Sequence, residues 1–258
     1  MISPFRAVLR NEFRLLRRDT AVVILTLAMP LIVISILKST VGASLVASGA
    51  EGATGAEQAV PGIALLFGFF ICGFLGLSVF REHSWGTWDR MRATRADTGA
   101  ILAGKATPWA VVSLVQMTLL FVIGVLIFDL NIPGLAEVGG IALIIATWSF
   151  FIVAFALFVV AIASSVQVVQ AFANLGAMVF GTLGGALVAL DQLPGWARAV
   201  SPLFPTHWAM RGFRALLLED KGFGGAIVPA LVLVGFAVLF GGLAAVRFDG
   251  AQAKVGIA

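Results

Sequence analysis

The chain reads as an all-α integral membrane protein of six transmembrane helices, and two observations carry that reading. Of its 258 residues 60% are hydrophobic and only 12% charged, with a mean hydropathy of +1.05. Soluble domains lie near 45–50% apolar and about 25% charged, so a water-soluble fold has nowhere to hide this much apolar surface. The apolar residues are also gathered into long runs, and runs of roughly 20 residues match a hydrocarbon core about 30 Å thick. A single membrane unit over residues 1–258 is therefore expected, with an N-terminal interface helix and two polar segments between spans.

Residues 1–20 show two faces at helical spacing. Ile2, Phe5, Leu9, Phe13 and Leu16 share one side, and Arg6, Arg10, Arg14 and Arg17 the other. That pattern suits a helix lying in the headgroup layer with its arginines toward anionic lipid. Asp19 and Thr20 can cap the helix that follows. The first span covers 21–37, and its Pro30 removes one helical hydrogen bond, which predicts a kink near Met29. The run is longer than the apolar stretch of a secretory leader, so a retained span is expected. Residues 38–60, rich in Gly, Ala and Ser, read as a mobile loop. The second span covers 61–80, with Pro61 suited to a first helical turn.

Residues 81–105 form the longest polar interruption in the first half of the chain, carrying five basic and three acidic residues. Spans three, four and five follow at about 108–128, 138–163 and 171–190. Residues 191–224 are too charged and too often broken by proline to cross. The last span is about 225–246, followed by a polar tail. Six spans put both termini on one side, and the positive-inside rule selects that side. With the termini inside, 12 of the 17 Lys and Arg residues lie inside and 5 outside. Both termini are thus expected in the cytoplasm of a cell inner or plasma membrane. Trp85, Trp88 and Trp109 flank the inner face and Trp196 and Trp208 the outer, while Trp148 falls mid-span and fits neither belt. The charge asymmetry reads as topology, with membrane lipid as a partner and nucleic acid as none.

Those six spans contain no Asp, Glu, Lys, Arg or His. Ion-driven pumps usually carry an intramembrane carboxylate or histidine, and the two halves of the chain do not repeat as many secondary transporters do. Residues 99–105 spell G-x-x-x-x-G-K, the start of a phosphate-binding loop. Ala106 stands where Ser or Thr should hold magnesium, and no strand precedes the motif, so nucleotide binding by this chain is rejected. The protease and hydrolase motifs are missing. His83 and His207 read as interface residues, and the lone Cys72 can form neither an intrachain disulfide nor a thiolate cluster.

Two stretches resemble the membrane subunits of type-2 ATP-binding-cassette exporters. The first is Glu82, then Gly86-Thr87-Trp88-Asp89-Arg90-Met91, closing with Ile101-Leu102-Ala103-Gly104-Lys105. It departs from the family in having Arg95, not proline, after Thr94. The second is Leu193-Pro194-Gly195-Trp196, then Pro205-Thr206, Arg211 and Arg214-Ala215-Leu216, similar to the antibiotic-exporting branch that includes daunorubicin exporter permeases. The resemblance implies a permease that pairs with a second copy or close relative and with two cytoplasmic ATPase subunits. Those subunits would hold the ATP and magnesium, leaving this chain without a cofactor.

It further implies that 81–105 contains a coupling helix, with Glu82, Trp85, Gly86, Thr87, Trp88, Asp89 and Arg90 meeting the ATPase. Spans two and five would line the path. Phe67, Phe70 and Phe74 share one face of span two, and Asn174, Met178 and Thr182 one face of span five. Short helices in 191–224 would dip back into the membrane as a lid, using Pro194, Trp196, Pro205, His207, Trp208 and Arg211. The cargo class expected is an amphipathic drug, natural product or lipid. A secondary transporter, a channel and a membrane-embedded enzyme are the competing classes, and each lacks the polar site it needs.

Overall fold

A computed structural model describes residues 4–16, 19–47, 52–93 and 97–248. The tail beyond 248 and Thr94 and Arg95 of the inner loop lie outside the described residues. The described chain is helical, without strands. In order, the helices are α1 (Pro4–Leu16), α2 (Thr20–Val23), α3 (Met29–Ala47), α4 (Ala56–Gly68), α5 (Phe70–Ser84) and α6 (Thr87–Arg92). They continue as α7 (Thr98–Ile127), α8 (Leu135–Ile162), α9 (Val166–Leu183), α10 (Gly195–Val200), α11 (Pro205–Leu217) and α12 (Gly224–Arg247).

Six helical stretches are long and apolar enough to cross a bilayer: Ile24–Ala47, Ala56–Ser84, Thr98–Ile127, Leu135–Ile162, Val166–Leu183 and Gly224–Arg247. The six-span reading is correct, and several of its boundaries are not. Helix α3 runs on to Ala47, so 38–47 is helix where a loop was expected. Lys38 at that end pairs with Asp129 beyond α7 at 2.8 Å, and Gly42 comes so close that a Cβ there would meet the carbonyl oxygen of Thr54 at 2.8 Å. Helix α4 starts at Ala56, because the buried Glu57 carboxylate accepts the backbone N–H groups of Thr54 and Gly55 at 3.1 and 3.0 Å. Free N–H groups at a helix start need such partners. Helix α7 starts ten residues before the expected span, capped by Asp97, which accepts from the Gly99 N–H at 3.0 Å.

The helix is irregular just before Pro30. A π-helical turn, Ile24–Ala28, immediately precedes α3, and the Thr26 hydroxyl donates to Val22 O at 2.6 Å inside it. Phe69 joins α4 to α5 with helical dihedrals and short-range hydrogen bonds, so the pair crosses as one stretch.

The core lies where α5, α8, α9 and α12 meet. Trp148 is fully buried there, with Phe69 5.9 Å and Phe151 5.0 Å away between ring centroids. Phe155 and Phe180 close the cluster around Phe69. Trp148 is thus part of a buried aromatic core, which is why it fits no interface belt. Glycines let neighbouring segments of the bundle approach closely. A Cβ on Gly62 would stand 2.0 Å from Ala186 O, and one on Gly181 2.0 Å from the Leu66 side chain.

Candidate functional site

At the end of α5 the chain turns through Trp85 and Gly86, and Gly86 takes φ 65°, a left-handed conformation that glycine adopts without a Cβ clash. The turn starts α6 and points the two tryptophans in different directions. Trp85 is 68% exposed with the Arg81 guanidinium 5.7 Å from its ring centroid, and Gly86, Asp89 and Arg90 are exposed beside it. These residues form the open part of the predicted docking face.

Trp88 is different. It is 1% exposed, stacked on His83 with centroids 4.5 Å apart and tilted against Phe248 at 5.8 Å. It was expected to touch a partner directly. Instead it fastens α6 to the neighbouring ends of α5 and α12. Thr87 also turns inward, its hydroxyl donating to the Glu82 carbonyl at 3.2 Å and to the Glu82 carboxylate.

Glu82 leads to a group that the sequence reading missed. Lys105, 1% exposed, lies inside α7 and donates to Glu82 Oε1 at 3.0 Å, to Glu12 Oε1 at 2.6 Å and to Ser78 O at 3.3 Å. One ammonium is shared by two carboxylates, one of them on α1. The expected spans 61–80 and 108–128 hold no charged residue, but the helices that carry them are longer, and Lys105 is buried in the third long helix and Glu57 in the first turn of the second. A charged amine out of water is tolerated only when paired and hydrogen-bonded, and here both conditions are met. Residues 99–105 are helical throughout, so their N–H groups do not form the open cradle of a phosphate loop.

Helix α1 runs beside α7. Gly104 lets it approach, since a Cβ there would meet the Val8 side chain at 3.0 Å. Phe5, Val8, Leu9, Phe13 and Leu16 are half-buried, while Arg6, Arg10 and Arg14 are exposed. Part of the apolar face assigned to lipid is therefore taken by protein.

The two predicted stripes of the path differ in setting. Phe67 and Phe70 are half-buried with centroids 5.3 Å apart. Phe74 stacks on Trp109 of α7, 5.4 Å away with rings 2° from parallel, so its face is occupied within the same chain. On α9, Ala173 and Gly176 are buried and Gly176 faces Phe69. Asn174, Met178 and Thr182 are exposed on the other side, Met178 at 69%. One chain does not bring the two stripes together into an enclosed cavity.

Before the last span, α10 and α11 stand where short helices were expected. Pro194 and Trp196 are exposed at the start of α10, and Pro205 is buried at the start of α11. The His207 ring bonds Ser201 Oγ, Trp208 Nε1 donates to Pro202 O at 2.9 Å, and the Arg211 guanidinium lies 5.3 Å from the Trp208 ring centroid. Arg214 grips Asp191 in a two-pronged pair at 3.0 and 3.1 Å. That hydrogen-bonded guanidinium holds the Asp191 carboxyl below its usual range. Burial, and then the charge of Arg211, push the His207 imidazole below its ordinary value. The Thr206 hydroxyl donates to Phe180 O, and Gln58 Nε2 donates to Gly185 O at 2.6 Å. Among the described residues no cluster of three or more His, Cys, Asp or Glu side chains could hold a metal.

Comparison with known proteins places this geometry in context. Residues 3–218 match the family described as ABC-2 type transporter. The probable multidrug ABC transporter permease YbhR of Escherichia coli K12 is 26% identical over 164 residues, which is 61% of this chain and 43% of the relative. The protein of that name in Escherichia coli O157:H7 gives the same figures. The match thus spans less than half the length of these relatives.

Proposed function

The chain belongs to the ABC-2 type transporter family, and from that premise we propose that it is the permease subunit of an exporter driven by a separate ATPase. It is a multi-pass membrane protein with six candidate spans. In the proposed assembly two copies, or this chain and a close relative, pair across the exposed face of α9, and two cytoplasmic ATPase subunits dock below. ATP and magnesium belong to those subunits. Both termini face the cytoplasm, as the 12-to-5 split of basic residues favours.

The observation that carries this reading is the inner end of the chain. An exposed aromatic and charged patch (Trp85, Asp89, Arg90) sits on a short helix whose other side is fixed into the bundle by Trp88. Thr87 and Glu82 continue that fixation to the buried Lys105. A surface made for a partner and rigidly joined to the spans can transmit a push. Large aromatics and desolvated charges at such contacts carry most of the docking energy.

The cargo proposed is an amphipathic drug, natural product or lipid moving along Phe67, Phe70, Asn174, Met178 and Thr182. Asn174 is an amide that lipid would leave unpaired, which favours a protein or cargo partner for that face. The segment 191–224 is assigned the role of an outer lid.

The test uses the permease reconstituted with its ATPase. Trp85→Ala and Asp89→Lys should each weaken docking by about 1–4 kcal/mol and abolish export-coupled hydrolysis, while the purified permease unfolds at the wild-type temperature. Wild-type coupling in both variants would place the docking face elsewhere on the chain.

A further inference from the structure

Beside α7 lies a cavity of about 240 Å³, walled by Phe13 and Leu16 of α1, Val22, Leu27 and Val112. Its lining is apolar except for Thr26 and Gln116. Thr26 is satisfied, since its hydroxyl donates to Val22 O at 2.6 Å. Gln116 is 2% exposed, and neither its amide nitrogen nor its amide oxygen has a hydrogen-bond partner. A primary amide offers two donors and an acceptor, and leaving them unmade in an apolar setting is costly. Val115, 51% exposed, stands at the rim, so the cavity opens toward the surrounding membrane.

Depth narrows the occupant. From Gln116 to the end of α7 at Ile127 is about 16 Å at 1.5 Å per residue, close to half of a hydrocarbon core of about 30 Å. The Lys38–Asp129 pair lies just beyond that end and marks the polar outer boundary. Gln116 is thus near mid-bilayer, where no phospholipid headgroup reaches. A phospholipid entering from either leaflet presents acyl chain to the amide and satisfies neither atom.

We infer that this cavity is a binding site for an uncharged, membrane-dissolved molecule with an apolar body and one hydroxyl or carboxamide group, held by Gln116. It lies between α1, the π-helical turn and α7, away from the exposed face of α9 to which the transport path was assigned. Because binding is read on the permease without its ATPase, the inference does not depend on the export reading.

The probe is a diazirine-bearing decanol, photolysed with the full chain in phospholipid nanodiscs, with labelled peptides located by mass spectrometry. Labelling of the segments around Val22–Leu27 and Val112–Gln116 should be saturable and competed by unlabelled decanol. Gln116→Leu should cut it on the order of 3- to 10-fold, the worth of one neutral hydrogen bond, and Val115→Trp should fill the opening and abolish it. A diazirine-bearing decane without the hydroxyl should label wild type and Gln116→Leu equally. Equal decanol labelling in wild type and both variants would overturn the inference, as would labelling spread evenly along every lipid-facing helix. Separation of a paired complex into single chains by Gln116→Leu would also overturn it, because the amide would then be serving another protein chain.

Discussion

At the end of the bundle assigned to the cytoplasm in the proposed orientation, here the inner end, an ammonium and two carboxylates, one buried and one half-buried, tie α1, α5 and α7 together. At the outer end α4, α9 and α11 are tied to one another by neutral groups: the Gln58 amide on Gly185 O, the Thr206 hydroxyl on Phe180 O and backbones touching at Gly62. The buried Glu57 carboxylate there binds N–H groups at the start of its own helix. Ion pairs at the outer end, among them Asp191–Arg214, Lys221–Glu219 and Lys38–Asp129, stay at the surface. Buried charges hold geometry strictly, because removing one member strands the others. Surface pairs in water contribute about 0–1 kcal/mol. The inner end is therefore fixed by interactions that fail all at once, and the outer cap by packing with a weak electrostatic fringe.

The largest test of that contrast is Lys105→Met, which leaves the buried Glu12 and the half-buried Glu82 without their cation. Breaking a buried pair costs about 3–5 kcal/mol, so thermal unfolding of the purified chain in detergent should begin far below wild type. Nucleotide affinity of the assembled complex should not change among molecules that remain folded. A wild-type unfolding temperature would mean that water reaches the triad and that the two ends are braced alike.

Trp88→Ala should cost somewhat less, about 3 kcal/mol, the low end for truncating a buried aromatic, because it sits at the inner margin of the core. Unfolding should shift, in contrast to Trp85→Ala. If the two tryptophan variants are equally stable, α6 is not fastened to the bundle as described.

The smallest effect belongs to pH at the outer cap. The folded state holds His207 below its ordinary value of about 6.5, so the unfolded form binds its proton first. Its contribution is complete above that value and declines as pH falls below it. Asp191 is held low by Arg214, so its contribution survives to more acidic conditions. Hydrogen exchange of residues 205–217, corrected for intrinsic rates, should therefore quicken modestly between pH 7.5 and 5.5, and His207→Gln should remove that dependence. Equal quickening in α1 and α6 would erase the distinction between the ends.

The six spans were legible because a long apolar run has few other uses, while the short helices before the last span came from the family resemblance and the prolines excluded only a crossing. Helix ends were not. A lysine neutralised by buried carboxylates has the same hydropathy as a solvated one, so Lys105 looked like the close of a loop. One signal was available: Glu12 falls among Phe5, Leu9, Phe13 and Leu16, on the apolar arc where an acid needs a cation. Trp85 and Trp88 are three residues apart, a spacing that puts helical neighbours on one side. The left-handed Gly86 between them breaks that rule. The stripe Phe67, Phe70 and Phe74 was read as one face, and only the nonlocal stack on Trp109 separates Phe74 from the other two.

The contact of Gly62 with Ala186 also has a mechanical reading. It pins the second crossing stretch near one end, while the Trp85–Gly86 turn lies at the other, 23 residues and about 35 Å of helix away. A rod pinned at one end behaves as a lever, so a tilt of about 5° displaces the far end by roughly 3 Å over that length. Little work done there then becomes measurable travel at the Trp85–Gly86 turn and almost none at the pivot. Spin labels placed near Ala64 and near Ser84 should report that gradient during turnover, and equal displacement at both sites would mean that the stretch slides instead of swinging.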